Sequence, residues 1–553
     1  MDTVGLGAAK EMADEKALSP NLQNNPDTAV FRLPPDVMVN VFGYCVPSHG
    51  SEEAGTSWLS FSHVCRVWRL IALDHGLLWT CIDLRRVALS ELMIERSKAA
   101  ALDIRAPCLY ERGSKTKRLL GKLQSQLFRI RNLQLNIGVV EMGLGFLKQL
   151  LQPAPCLRSL EVIGHNLILP EDFLAHTAPL LTHLRLEGTY LSWKSPLFFN
   201  LTILELCGDG KTNIPAAKQL LDVLRASPHL ESLRLAHIFP NRIDRVEDVH
   251  FHKLRKLRIS GDAAKCSGLL DNLSFPETTA LSVDCSVEIE DNVSFKSFIV
   301  SHFPRLFLAN QSFSTEFQDP CDQARIMKTL FIDLEEQDDV PQVTLDAWNN
   351  DVIPIDAFNS YEPSDEVERR LPSPCIHISF VWDRHQDLPN VAEDRDYIFS
   401  ELPMQSVETL HIRGPNVVDE HNSNSVLRCF RRLALNSSSV KTLILDRGGF
   451  SDQFTQVFNL LRTMDTTVSP PVLAFPALHS LALLFRDVMF WQGSPGYPPG
   501  RSSFGGLLLE TLAFRSQRGQ AVKALVAKSC KYLTSEEVAW FEALPVEEFR
   551  WID

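Results

Sequence analysis

The 553-residue chain has no run of 18 consecutive apolar residues, so nothing in it reads as a bilayer-spanning helix. It also lacks any C-x-x-C pair, and its twelve cysteines are scattered from Cys45 to Cys530. In a chain this long, that scatter reads as reduced, mostly buried thiols of the cytosol or nucleus, not a disulfide framework or zinc site. The opening MDTVGLGAAKEMADEKALSP has no basic stretch followed by an apolar one and does not read as a secretory signal. The N-x-[ST] matches at Asn200, Asn272, Asn292, Asn310 and Asn436 are then chance. Positive charge is in deficit: 55 Lys and Arg stand against 68 Asp and Glu, a formal net charge of −13. A chain built chiefly to coat nucleic acid or an anionic membrane is excluded, and only a local basic patch stays open.

Catalytic signatures are missing as well. Neither H-E-x-x-H nor G-x-S-x-G occurs, the 16 histidines show no ligand spacing, and no cysteine is marked as a nucleophile. Gly208-Asp209-Gly210-Lys211-Thr212 imitates a phosphate-binding loop, but Glu205 occupies the place of its first glycine. A carboxylate there repels phosphate, so the segment reads as a turn. No cofactor or metal is called for, and the expected role is non-catalytic.

What is present divides the chain. Residues 1–29 are polar and read as a disordered tail. Order is expected from Phe31, where Leu33-Pro34-Pro35-Asp36 starts a helix carrying Val37, Met38, Val41, Phe42 and Cys45. Pro47–Gly55 is a polar break. A second helical stretch follows through Leu59, Val64, Trp68, Ile71 and Ala72, with Ser62 as a possible division. A unit of roughly 50 residues is near the lower size limit for folding alone, so a neighbour or partner should cover part of it.

From about residue 130 the pattern becomes L-x-x-L-x-L, the strand unit of a leucine-rich repeat. It starts at Ile130, Leu157, Leu181, Leu201, Leu230 and Leu254, with spacings of 27, 24, 20, 29 and 24. Weaker copies are expected at Leu281, Leu306, Leu330, Ile376, Leu410, Leu443, Leu481, Leu512 and Phe549. The Asn that usually follows each strand is replaced by His165, Thr189, Asp209 and Ile238, so the backbone ladder must be held otherwise. The expected fold class is α/β: a small all-α N-terminal unit (30–84), a linker and cap (85–129), then an irregular solenoid with a parallel sheet (130–553). An acidic insertion at 335–371 and a Pro/Gly-rich loop at 491–503 read as flexible decoration.

The segment Leu33–Leu84 resembles an F-box. The likeness rests on Leu33-Pro34-Pro35-Asp36, on Val41-Phe42, on Val64-Cys65-Arg66-Val67-Trp68-Arg69 and on Leu78-Trp79. It is most similar to the large F-box family of mushroom-forming fungi, with Asp36 in place of the commoner Glu and a lengthened Pro47–Gly55 loop. The resemblance implies a substrate-recognition subunit that binds a Skp-type adaptor and, through it, a cullin of a ubiquitin ligase, in the cytoplasm or nucleus. No nucleic acid or membrane is expected as a partner. Leu33, Pro34, Pro35, Asp36, Val37, Val41, Phe42, Val64, Cys65 and Trp68 are the implied adaptor-binding residues. Cys65 and Trp68 weigh toward the motif's own core, and Trp79 toward capping the solenoid. The alternative is an F-box or leucine-rich scaffold acting outside a ligase.

Strand alternation places His183, Arg185, Arg234, Lys256 and Arg258 outward on the sheet, the expected substrate-binding residues. They suit an unknown protein substrate with acidic or phosphorylated groups. The competing reading is a solvated lattice with Glu161, Glu187, Glu205 and Glu231.

Overall fold

In the computed structural model the described residues are 33–46, 57–106, 114–137, 147, 150–240, 243, 248–287, 292–307, 327–334, 336–337, 340–350, 372–382, 388–413, 431–446, 454–465, 471–484, 504–528 and 544–552. The expected tail 1–29, the Pro47–Gly55 break, most of the acidic insertion and the 491–503 loop lie outside them. The chain forms two compact units, Met1–Leu201 and Thr202–Asp553.

The first unit opens with helices α1 (Pro35–Cys45), α2 (Phe61–Val64) and α3 (Arg66–Asp74). A parallel sheet follows: β1 (Cys81–Asp83), β2 (Leu102–Ala106), β3 (Ile130–Asn136), β4 (Ser159–Ile168) and β5 (His183–Tyr190), paired in chain order. Helix α4 (Val87–Arg96) connects β1 to β2, and α5 (Ser114–Gln124) connects β2 to β3. The sheet thus begins near residue 81, not 130. The expected linker and cap 85–129 holds two helices and a strand of this sheet, overlooked because Cys81-Ile82-Asp83 and Leu102-Asp103-Ile104 are short and carry little leucine.

The second unit contains β6 (Ile203–Cys207), β7 (Ser232–Ala236), β8 (Lys256–Asp262), β9 (Ala280–Val287), β10 (Thr329–Asp333), β11 (Val340–Trp348), β12 (Ile376–Trp382), β13 (Thr409–Arg413), β14 (Thr442–Asp446), β15 (Ser480–Leu484), β16 (Ala524–Lys528) and β17 (Glu548–Ile552). In space β12 follows β9, then β11, β10 and β13, after which chain order resumes to β17. Among these strands every pairing is parallel except those of β11, antiparallel to both neighbours. The insertion is therefore partly structural: Val343, Leu345 and Ala347 are fully buried in β11. Two expected strands are helical instead, with Leu306 in α8 (Asn292–Phe307) and Leu512 in α11 (Phe504–Gln517), where their apolar spacing serves a helix face. Other helices flanking the strands include α6 (Ala217–Arg225), α7 (Ala263–Leu270), α9 (Leu388–Glu401) and α10 (Phe454–Leu461).

Four segments turn into their strands in the same way. In Ala154-Pro155-Cys156-Leu157, Ala178-Pro179-Leu180-Leu181, Ser227-Pro228-His229-Leu230 and Phe475-Pro476-Ala477-Leu478, the leucine N–H donates to the carbonyl three residues back at 3.0–3.2 Å. Proline holds the second turn position, where its fixed φ is already correct. Several residues at strand entries offer a carbonyl that accepts two N–H groups from the segment leading into the neighbouring strand. Arg158 O takes Thr182 and His183, Glu231 O takes Arg255 and Lys256, and Lys441 O takes His479 and Ser480, all at 2.8–3.1 Å. This forked bond ties the starts of neighbouring strands together.

The inward positions, such as Leu160, Val162, Leu184, Leu204, Leu233 and Leu257, are fully buried. Outward positions differ along the chain. In β6–β9 they are Glu205, Arg234, Arg258 and Ser282, half-buried or exposed, whereas in β10 and β13–β16 they are Phe331, His411, Ile444, Ala482 and Val526, all buried. The later strands are closed on both faces. The outer face of the second unit is therefore open along β6–β9 and closed along β10 and β13–β16.

Eight cysteines are described, all free thiols; only Cys266 and Cys285 are buried and Cys45 is exposed, so the expectation of mostly buried thiols fails there. Among the described residues no helix is long and apolar enough to cross a membrane.

Strand β4 carries a bulge between Ile163 and Leu167, and opposite it Gly188 adopts φ +54°. A Cβ on Gly188 would stand 2.2 Å from the Gly164 carbonyl oxygen. Gly188→Ala should therefore destabilise the protein by about 2 kcal/mol or more. Gly121→Ala, in α5 with open space around it, should stabilise by about 0.5–1 kcal/mol. Chemical denaturation of both variants checks the pair.

Candidate functional site

Helix α1 starts where the sequence expects it. The Pro34 carbonyl accepts the Val37 and Met38 N–H groups at 3.0 and 3.1 Å, and Asp36 sits in the first turn, where the helix dipole favours negative charge. The break in the second helical stretch falls at Cys65 rather than Ser62. Cys65 is extended at φ −156°, and its Sγ accepts the Trp68 N–H at 3.4 Å, which makes it the N-cap of α3.

Phe42 faces inward. It is 1% exposed and stacks on Phe61 with centroids 4.5 Å apart, while Trp68 lies 5.2 Å away. Its expected role as a contact residue is therefore corrected: Phe42 and Met38 form the inner stripe of α1. Trp58 joins Phe61 to Trp79 at 5.7 and 5.6 Å. The indole of Trp79 donates to the Ala72 carbonyl at 2.8 Å, and the Arg96 guanidinium lies 4.5 Å over its ring. Trp79 thus binds the helices to α4.

The opposite face of α1 is apolar too. Leu33, Val37 and Val41 are 41–45% exposed, and Tyr44 is almost fully exposed. Val64, Val67, Leu70 and Leu77 add further exposed apolar side chains from the neighbouring helical segments. Pro34, Pro35 and Asp36 are exposed at the start of α1. A helix apolar on both sides is the pattern of a buried helix, yet only one side is buried within this chain.

The expected substrate residues fall into two groups. In the first unit, His183 Nδ1 shares a hydrogen bond with Ser159 Oγ at 3.2 Å, and Arg185 pairs with Glu187 at 2.9 Å. In the second, Arg234 and Arg258 are direct register partners on β7 and β8, with Lys256 beside them, so the sheet does bring these three together. Two of the three are engaged, Arg234 with Glu205 at 3.8 Å and Arg258 with Asp284 at 3.3 Å. The lattice reading gains the Glu187 and Glu205 pairs, but Asp284 had not been anticipated, and Glu161 accepts from Gln134 instead.

The lattice continues onto β12, where His377 bridges Asp284 (Nε2, 3.3 Å) and Asp346 of β11 (Nδ1, 2.5 Å). Sequence reasoning missed this imidazole because its partners come from the strand order, not from spacing. Burial pulls its pKa down, but hydrogen bonds and charge from the two aspartates outweigh that and raise it to about 9. Burial pushes the Asp284 carboxyl up, yet His377 and Arg258 together hold it below the usual value. The looplike decoy is a turn: Asp209 Oδ1 accepts the Lys211 and Thr212 N–H groups, and Gly210 has φ +75°. Among the described residues, no group of three or more His, Cys, Asp or Glu could hold a metal ion.

His377 generates a pH prediction. Its folded pKa lies above the unfolded value of about 6.5, so its stabilisation is complete below pH 6.5 and is lost as pH rises through 9. The stability difference between wild type and His377→Gln should therefore shrink steadily from pH 6.5 to 9.5. Urea titrations across that range check it, and a constant difference would contradict the protonated bridge.

No curated protein matches the chain. Residues 30–85, which hold the two-faced helix α1 and the aromatic cluster behind it, match the F-box-like family, so this part of the chain is an F-box-like domain.

Proposed function

We propose that the protein is a non-catalytic substrate receptor of a Skp–cullin–F-box ubiquitin ligase, of the kind found in mushroom-forming fungi. Its F-box docks the Skp-type adaptor, which links it to a cullin, and its parallel sheets act as leucine-rich-repeat-like coils that hold a protein substrate. F-box domains generally mediate protein interaction of this kind, typically in ubiquitin ligases. The observation that carries the proposal is the uncovered outer stripe of α1, Leu33, Val37 and Val41. These side chains are already more than half covered, so burying the rest contributes about 2–4 kcal/mol before association costs. The stripe suits a helix-in-groove association.

For the substrate, the open outer positions of β6–β9 offer Arg234, Lys256 and Arg258, and the first unit offers His183 and Arg185. The alternation of Glu205, Arg234, Arg258, Asp284 and His377 favours a partner surface bearing both signs of charge over a uniformly acidic or phosphorylated one.

The test uses the full chain and a purified Skp-type adaptor. Val37→Glu with Val41→Glu should weaken capture more than tenfold while leaving the melting temperature unchanged. Phe42→Ala should instead cost about 3–5 kcal/mol of local stability, seen as new protease cleavage within residues 33–79. Undiminished capture by the intact double variant would refute the docking face. In cells, adaptor captured together with cullin supports the ligase role, whereas adaptor without cullin supports action outside a ligase.

A further inference from the structure

Residues 85–131 hold twelve Arg and Lys against four Asp and Glu, a net charge of +8 within a chain of net −13. Several of these cations serve the fold. Arg129 is buried and donates to Ser97 Oγ and to the Ala100 and Ile94 carbonyls, tying down the end of α4. Arg131 pairs with Asp103, Lys98 with Asp74, and Arg85 with Asp83. Of the remainder, Lys115, Lys117, Arg118 and Lys122 lie on α5 and Arg86 immediately precedes α4.

The two helices lie side by side with their N-termini together, since Arg118 pairs with Glu91 at 2.6 Å and Lys122, one turn on, reaches Glu95 at 3.4 Å. Arg118 grips Glu91 through two nitrogens and holds its carboxyl below the usual range. Glu91 is nearly covered, while the Arg118 side chain remains 62% exposed above it. Lys115 lies close enough to act on the same carboxylate, and it precedes Arg118 and Lys122 on one face of α5. Lys115, Lys117 and Arg86 are exposed and form no ion pair among the described residues. Glu91 thus lies beneath Arg118, Glu95 stays exposed beside Lys122, and the outer layer is net positive.

We infer that the paired helices α4 and α5 form a docking surface for an acidic segment of a partner protein. Lys115 to Lys122 spans about 10 Å of helix, the length of about three extended residues. Carboxylates spaced along an extended chain match that interval. Nucleic-acid binders commonly engage six to ten phosphates, roughly, and this surface is too short for that. Glu91 and Glu95, set among the cations, would also repel a continuous phosphate strand. The inference rests on charge and geometry away from α1 and does not require the F-box reading.

The experiment uses the full-length protein and a fluorescent twelve-residue Asp/Glu peptide, followed by anisotropy at low and moderate salt. Wild type should bind, with affinity falling at least tenfold as salt rises. Its Gln/Asn counterpart should not bind. The triple variant Arg86→Glu, Lys115→Glu and Lys117→Glu should lose binding by at least tenfold with an unchanged circular-dichroism melt. The variant Lys115→Gln with Lys117→Gln should give an intermediate loss, and it decides the matter if the triple variant misfolds. Binding that is absent, or unaffected in the folded variants, overturns the proposal. So does tighter binding of a single-stranded RNA or of anionic vesicles that the same substitutions abolish.

Discussion

Ahead of several strands one backbone carbonyl accepts two N–H groups from the segment that leads into the neighbouring strand. A parallel strand cannot pair with its chain neighbour through a tight hairpin, so every strand must be set beside its predecessor by a connection across the back. Arg158, Glu231, Lys328, Glu408, Lys441, His479 and Lys523 all make this forked bond, although their side chains have nothing in common. An x-Pro-x-Leu turn precedes the forked carbonyls of Arg158, Glu231 and His479, and its buried leucine anchors the turn. Everything on the outer face, including the charged lattice of the second unit, takes its spacing from that repeated backbone device.

The same economy explains what could be read in advance. A leucine in register with a neighbouring leucine leaves a mark in one dimension, so the six strong strands from Ile130 to Leu254 were legible. Leu306 and Leu512 misled because a helix face also repeats apolar residues at short intervals, and the distinction lies in length and surroundings. Strand β11 was hidden for a different reason. Its acidic surroundings signalled solvent, while Val343, Leu345 and Ala347 alternate with polar residues in the pattern of a half-buried strand. The x-Pro-x-Leu turn was visible in the sequence and would have located several strand starts.

The candidate site was legible in composition and less so in orientation. Val37, Val41 and Phe42 stood out together as apolar, but a helix places residues 41 and 42 a hundred degrees apart. Phe42 then finds Phe61 and Trp68, while Val41 is left outside. Likewise the arginines of β7 and β8 lie on the outer face, yet the carboxylate partner of Arg258 arrived with β9. The Asp284–His377–Asp346 bridge depends on β12 and β11 being drawn next to β9, a strand order that no local pattern announces.

The central claim is that α1 uses one apolar face for its own domain and keeps the other for a partner. Amide hydrogen exchange of the full-length protein, alone and with a purified Skp-type adaptor, tests this most directly. The account predicts slowed exchange concentrated in residues 33–46 and 61–79, with the strands of the second unit unchanged. Equal exchange in those helices with and without saturating adaptor, or protection confined to the sheet, would contradict it.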